Sequence, residues 1–316
     1  MIIYVNNFVD IQVRKNVFNT MEMKKITPEH KERVLQISKD IWEGDDYIPE
    51  IFDEWVADPF GEFVGLFADK TLIAFGKMTY LTPTDVWLEG LRKDQNTTIK
   101  GIGKLFTEYY LNLLSQRKDL TSVRFVTYFE NYGSIIPSER AGFEIILTCS
   151  LKNLEIDKEE KIEMIPSITN EISYKDFENY ILTSSYLKKC KNLLSKGWVL
   201  HDTTEQQLSE FYVKKQFGAV VENGIIQGLI LYSDICYTDT LWISFLKTAS
   251  VQVRNSLLLY AKKTAQDSKK NVIQYIVPED KILLGWIENM GFTSWDRNND
   301  FLVFDFPIAS LKNHQS

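Results

Sequence analysis

The chain has 316 residues, 44% hydrophobic and 25% charged, with a net charge of −7. These proportions are those of a folded globular protein and exclude disorder over most of the length; at roughly 150 residues per domain they accommodate two domains. The acidic balance excludes a dedicated nucleic-acid binder, which needs a basic face to displace counterions, but it permits an anionic small ligand in a local basic pocket.

The three cysteines, Cys149, Cys190 and Cys236, are odd in number and contain no C-x-x-C, so neither a disulfide framework nor a structural zinc site is expected. Met1–Asp10 lacks a basic segment followed by an apolar run, and no stretch approaches the roughly 20 apolar residues of a membrane span. The expected setting is therefore cytoplasmic, with no membrane partner. His30, His201 and His314 are not spaced as metal ligands, and no Ser-His-Asp set is visible.

Residues 1–20 read as an arm or an extra strand. Met21–Ile26 reads as a strand. A helix follows, capped by Thr27 with Pro28 in its first position, burying Val34, Ile37 and Ile41 and ending at Gly44. Glu43–Asp58 carries seven acids and no Lys or Arg, with Ile51, Phe52, Trp55 and Val56 at helical spacing. It reads either as a solvated helix face or as a negative wall that attracts a cationic substrate. Glu62–Ala68 and Leu72–Leu81 are strands around an Asp69-Lys70 turn.

Asp85–Leu114 is the most informative stretch. Val86–Leu91 is an apolar strand run, and Asp94-Gln95-Asn96 is turn chemistry. From Ile102, apolar residues at Leu105, Phe106, Tyr109, Leu113 and Leu114 follow a helical rhythm. Gly101 and Gly103 thus fall at a helix start, where unpaired N–H groups and the helix dipole favour anions. Lys100 and Lys104 add charge. A third glycine is missing, and Lys104 is not followed by Ser or Thr, so this is neither a dinucleotide fingerprint nor a P-loop. Taken alone, the two glycines equally suit a tight turn before a helix.

Val123–Phe129 is a further strand, a short helix runs to Ala141-Gly142-Phe143, and Glu144–Leu151 closes as a strand. Residues 152–168 are rich in charge and poor in apolar residues, and read as the linker region. Beyond them the pattern recurs at offsets of 149 to 155 residues. Gly65–Lys70 parallels Gly218–Asn223, Val86–Arg92 parallels Leu241–Lys247, and Glu139–Phe143 parallels Glu288–Phe292. The second copy lacks the two glycines and has Ser244 where the first has Glu89, so it is expected to keep the fold without the chemistry.

With these motifs in place, residues 21 to about 155 resemble the GCN5-related N-acetyltransferases. That family's loop, Arg/Gln-x-x-Gly-x-Gly/Ala after a strand and opening a helix, is matched by Thr98-Ile99-Lys100-Gly101-Ile102-Gly103, with Thr98 departing from the pattern. The downstream Asn, small residue and Gly-Phe are matched by Asn131, Ser134 and Gly142-Phe143. The tandem layout and Trp87–Arg92 also resemble the histidine N-acetyltransferase type.

The resemblance implies an α/β fold of two such domains in tandem. Each is a mostly antiparallel mixed sheet flanked by helices, with the fourth and fifth strands splayed. Residues 21–155 would be catalytic, 156–170 a linker and 171–316 the degenerate copy. It implies acetyl-coenzyme A as co-substrate and no metal. The pyrophosphate would rest on the N–H groups of Ile99, Lys100, Gly101, Ile102, Gly103 and Lys104. Pantetheine would pair with the backbone of Leu91, Arg92 and Lys93, and Asn131 and Ser134 would contact it. The family's thiolate-protonating tyrosine falls on Ser138, with Tyr128 and Tyr132 as substitutes.

Glu89 is the candidate general base: its same-face neighbours Trp87 and Leu91 supply an apolar flank that raises a carboxylate pKa. The alternative is a structural pair with Arg92 or Arg124. The expected acceptor is a small-molecule amine. The rival readings are a non-catalytic acyl-coenzyme A-binding scaffold and a protein N-acetyltransferase. Oligomeric state stays open.

Overall fold

The computed structural model describes residues 20–44, 46–162, 167–234 and 239–314. Residues 1–19 of the expected arm, Cys236 and the side chain of Trp42 lie outside the described residues. The first series of elements is β1 (Met21–Lys25), a 3-10 turn (Pro28–His30), α1 (Lys31–Ser38), a second 3-10 turn (Ile41–Gly44), α2 (Ile48–Ala57), β2 (Glu62–Ala68), β3 (Thr71–Thr82), β4 (Asp85–Lys93), α3 (Ile102–Ser115), β5 (Ser122–Tyr128), α4 (Tyr132–Ala141) and β6 (Glu144–Glu155). The second is β7 (Ile168–Thr169), α5 (Tyr174–Leu182), α6 (Ser185–Lys189), β8 (Leu193–Lys196), β9 (Val199–Asp202), α7 (Glu205–Val213), β10 (Phe217–Glu222), β11 (Ile225–Ser233), β12 (Thr240–Thr248), α8 (Val251–Asp267), β13 (Val272–Pro278), α9 (Lys281–Asn289), β14 (Thr293–Ser294) and β15 (Phe301–Asp305). No helix among the described residues is long and apolar enough to cross a membrane.

Two compact units result: one takes the chain up to Tyr80 together with Leu88–Leu113, the other Leu81–Trp87 and everything from Leu114 on. In the first unit β1 and β2 pair antiparallel from Met21↔Ala68 to Lys25↔Val64, and β2 pairs antiparallel with β3. The Asp69-Lys70 hairpin turn places both residues at positive φ, 45° and 70°, the conformation that matches the strands' right-handed twist. Helices α1 and α2 close one face over Ile26, Val34, Phe52, Trp55, Phe63 and Phe75.

Three local expectations are corrected in this unit. The helix predicted from Thr27 to Gly44 opens as a 3-10 turn, because His30 Nδ1 accepts the Thr27 N–H at 2.9 Å, and His30 is half-buried. The α-helix stops at Ser38, and the left-handed Gly44 (φ 96°) instead ends the second 3-10 turn. On α3 the buried stripe is Ile102, Phe106, Tyr110 and Leu111, whereas Leu113 is exposed. The helix lies against β3 at Gly76, where a Cβ would come within 3.2 Å of Phe106 and the Tyr110 hydroxyl, and this contact sets its rotation.

The second unit is built on an exchange of strands. β4 pairs in parallel with β5 at Asp85–Trp87. The other neighbour of β5 is β15, from the end of the second sequence copy, running antiparallel from Phe301↔Tyr128 to Asp305↔Arg124. β15 also pairs with β6, and β6 pairs on its far side with β13, from Val272↔Glu155 to Pro278↔Cys149. Each copy's last long strand thus completes the ladder beside the other copy's core strand. β12, β11, β10 and β7 continue outward from β13.

The exchange explains why Lys152–Glu155 is strand where charge suggested a linker. Lys152 is fully buried, and its Nζ donates to Glu288 at 2.6 Å, Ser294 at 2.7 Å and Asn298 at 2.5 Å. A buried ammonium is tolerated only when so satisfied. The β8–β9 hairpin, without a counterpart among the described residues of the first copy, packs Leu193, Leu200, Trp198 and Val199 with Trp87, Trp242 and Val303.

Phe304 on β15 is fully buried and stacks on Phe125 of β5 with centroids 4.8 Å apart. Phe304→Ala is expected to lower stability by about 3–5 kcal/mol, read as an earlier urea midpoint with unchanged slope. A loss below about 1 kcal/mol would show that the exchanged strand carries little of the fold's stability.

Candidate functional site

The first unit gathers most of the predicted site residues: Glu89, Leu91, Arg92, Lys93 and Ile99–Lys104. Asn131 and Ser134 belong to the second unit. Gly90, beside Glu89, has φ 66°, and a Cβ there would lie 2.2 Å from the Trp55 ring. Only glycine admits both the left-handed backbone and the indole laid on it. A residue at positive φ inside a strand breaks its alternation: beyond Gly90, Leu91 and Lys93 are exposed and Arg92 is half-buried.

Glu89 is half-buried and bonded by a neutral partner. Thr79 Oγ1 donates to its Oε1 at 2.5 Å. Neither arginine predicted as an alternative partner is used: Arg92 donates to both oxygens of Asp46, at 2.9 and 3.0 Å, and Arg124 sits among Asp85, Asp202 and Asp305. Burial pushes the Glu89 carboxyl up to about 7; the Thr79 bond and the Lys77 charge pull it down, while Glu54 and Asp58 push it up.

Lys77, 1% exposed, is ion-paired with Asp58, whose Oδ1 also accepts the N–H groups of Phe60 at 2.9 Å and Gly61 at 3.1 Å. Burial opposes ionisation of Asp58, but these bonds outweigh it and hold the carboxyl below its ordinary range. The acidic segment Glu43–Asp58 reaches both the core and the surroundings of Glu89. Its α2 stretch packs the core through Phe52 and Trp55, while Glu54 and Asp58 act electrostatically on Glu89.

Thr79, Lys77 and Asp58 escaped the sequence reading. Lys77 carried a usable signal, as the one charge in the apolar strand run Leu72–Met78; a charge so placed requires a partner.

Gly101 has φ 80°, and a Cβ added to it would meet nothing within 4 Å. Its carbonyl accepts the Leu105 N–H at 3.0 Å, closing the first turn of α3. Among the described residues no side chain caps the N–H groups of Lys100–Lys104. Ile99 differs, its N–H donating to Thr97 Oγ1 at 3.4 Å. Lys100 and Lys104 are exposed. An open helix mouth of glycine and uncapped amides beside two lysines fits a diphosphate.

In the second unit Asn131 precedes α4, and its Nδ2 donates to Thr127 Oγ1 at 2.9 Å. Ser134 is half-buried, and Ser138, at the position of the family's tyrosine, is 5% exposed. Tyr128 donates to Asp296, and that bond raises its hydroxyl to about 12; Tyr132 is exposed at 61%. No group of three or more potential metal-ligating side chains occurs among the described residues.

No protein-family model matches the chain, and no curated protein matches it in sequence. Solved structures do match. A GCN5-related N-acetyltransferase from Sphaerobacter thermophilus superposes with a TM-score of 0.66 at 14% identity, covering 91% of this chain and 96% of that one. A tandem GNAT protein from the clavulanic acid biosynthesis pathway gives 0.59 at 10% identity, covering 90% and 98%. A putative acetyltransferase from Thermoplasma acidophilum gives 0.55 at 13%, covering 90% and 99%. The chain has the fold of the GCN5-related N-acetyltransferases. One of its structural counterparts is itself a tandem protein matched over nearly its whole length.

Because its folded pKa is raised, Glu89 costs stability when ionised. Between its ordinary value of 4.5 and about 7 the folded state holds more protons than the unfolded chain, so this group makes stability fall as pH rises through that window. Glu89→Gln is expected to flatten that slope, making the variant relatively more stable than the parent at pH above 7 than at pH 4.5, as read by urea denaturation across pH. An unaltered slope would assign the shift to another group.

Proposed function

We propose that the protein is an acetyl-coenzyme A-dependent N-acetyltransferase whose acceptor is a small-molecule amine. The observation that carries this reading is a carboxylate raised to about 7 on the strand that leads to an uncapped, glycine-opened helix mouth. The active module would be residues 21–155, joined through 156–170 to a non-catalytic copy at 171–316, working in the cytoplasm. Acetyl-coenzyme A, when bound, supplies an activated acyl carbon and a thiolate leaving group. The amides of Lys100–Lys104 would hold its diphosphate and the β4 backbone at Leu91–Lys93 its pantetheine arm.

Glu89 takes the proton that an ammonium acceptor sheds, directly or through water. A carboxylate poised near neutrality is matched to that task. Glu54 and Asp58 both act on Glu89, and Lys77 is already paired with Asp58, so the surroundings of Glu89 favour a cationic acceptor before it loses its proton. The new bond joins the amine nitrogen to the acyl carbon, the carbon–sulfur bond breaks, and the thiolate departs. Buried Ser138 and occupied Tyr128 support a thiolate protonated by water or leaving as the anion.

The same absence of a ready tyrosine acid favours a second reading, an acyl-coenzyme A-binding protein without turnover. Steady release of free thiol from acetyl-coenzyme A with a panel of small amines supports the enzyme; binding without release supports the alternative.

In the pH–rate profile, Glu89→Gln is expected to abolish the acidic limb near pH 7 and reduce kcat by about 10²-fold or more; a retained limb would remove Glu89 from the base role. Lys104→Glu is expected to weaken coenzyme A binding by roughly tenfold in calorimetry while leaving the melting temperature close to the parent's, and Gly101→Asp, strained at φ 80°, to weaken it at least as much with a lowered melting temperature. Unchanged affinity in both would end the diphosphate assignment.

A further inference from the structure

In the second unit β12 and β13 diverge. Their parallel pairing runs from Thr240↔Val272 to Ile243↔Tyr275. β12 continues to Thr248, while β13 keeps pairing with β6 as far as Pro278↔Cys149. Between the end of β12 and helices α6, α8 and α9 lies a cavity of about 160 Å³.

The cavity wall is cationic. It carries Lys189, Lys247 and Arg254 against one carboxylate, Asp280. Asp280 is already committed: it pairs with Lys189 and accepts the N–H groups of Ile282 at 3.1 Å and Leu283 at 3.2 Å at the start of α9. Lys247 and Arg254 have no carboxylate partner among the described residues. Each is braced on a ring instead, with Lys247 Nζ 4.5 Å from the Tyr180 centroid and the Arg254 guanidinium 4.6 Å from that of Trp286. Arg254 Nε also donates to Thr248 Oγ1 at 3.3 Å. The Trp286 Nε1, in the same wall, is a buried donor with no acceptor. Two cations without carboxylate partners, beside the Trp286 ring on a partly apolar cavity, form a recognition surface for an anion.

The arrangement differs from a coenzyme A cradle. The Val253 N–H in the first turn of α8 is taken by Ser250 Oγ at 3.3 Å, there is no glycine opening, and the volume is that of a ring with a charged substituent.

We propose that this cavity is a second binding site, for a small organic anion whose carboxylate or phosphate head meets Lys247 and Arg254 and whose flat apolar body lies against Trp286. The site is built from side chains of the second copy alone, so its binding is independent of the acetyl-donor site.

The test is calorimetric titration of the full chain with benzoate, phenyl phosphate and, as a cationic control, benzylamine. Saturable binding of benzoate or phenyl phosphate below about 10 mM, without binding of benzylamine, is expected, and the stronger anion identifies the head group. Lys247→Gln and Arg254→Gln are each expected to weaken it by roughly tenfold, with Gly101→Asp leaving it unchanged. Should Arg254→Gln lower the melting temperature, Lys247→Gln and Trp286→Phe, which replaces the indole with a smaller ring, decide the matter. No saturable binding of either anion, equal affinity in Lys247→Gln and Trp286→Phe, or loss in Gly101→Asp would overturn the proposal.

Discussion

The rest of the second unit depends on β6 and β15 lying side by side. A strand has two hydrogen-bonding edges, and an open edge is a liability that proteins cover. β15 uses one edge on β5 and the other on β6; β6 uses its far edge on β13 and β14. The interior between them is correspondingly dry, with Val303, Phe304 and Leu151 essentially inaccessible. On β6, fully buried Lys152 is held by three oxygen acceptors. Removing either strand would expose two ladders at once, so the two copies share one folding problem.

The first unit obtains its chemistry by a different route. Its two informative glycines are not interchangeable. Gly90 makes room for the Trp55 ring at positive φ, shaping the strand that carries Glu89. Gly101 faces open space, leaving a helix mouth accessible. Burial then sets the proton affinity of Glu89, because its closest bond comes from a neutral threonine while the nearby lysine is committed to Asp58. A lysine paired directly with Glu89 would have held the carboxylate ionised and less basic.

The order of elements in the first copy was legible because its signals are local: strand alternation, the Thr27-Pro28 start and the glycines before α3. The tandem repeat was legible as well, since Gly142 and Gly291 recur at left-handed helix ends with φ 101° and 93°. The strand exchange was not legible, because nothing in a strand's own sequence names its neighbour. Charge misled at residues 152–155, where a lysine that reads as solvated is buried against partners more than 130 residues away. Helix rotation misled at α3, where Gly76 on another element decides that Tyr110 rather than Tyr109 is buried. At the candidate site Glu89 and the helix mouth could be read from sequence. The threonine, lysine and aspartate that tune the carboxylate come from other elements and required the fold.

Ordinarily, the second half of a duplicated chain can be deleted without removing a strand from the sheet of the first. Here the terminal strand of the second half sits inside the ladder of the first, so a frameshift or truncation after residue 300 would strip the leading half of a neighbour as well. The mouth between β12 and β13 carries no such structural duty.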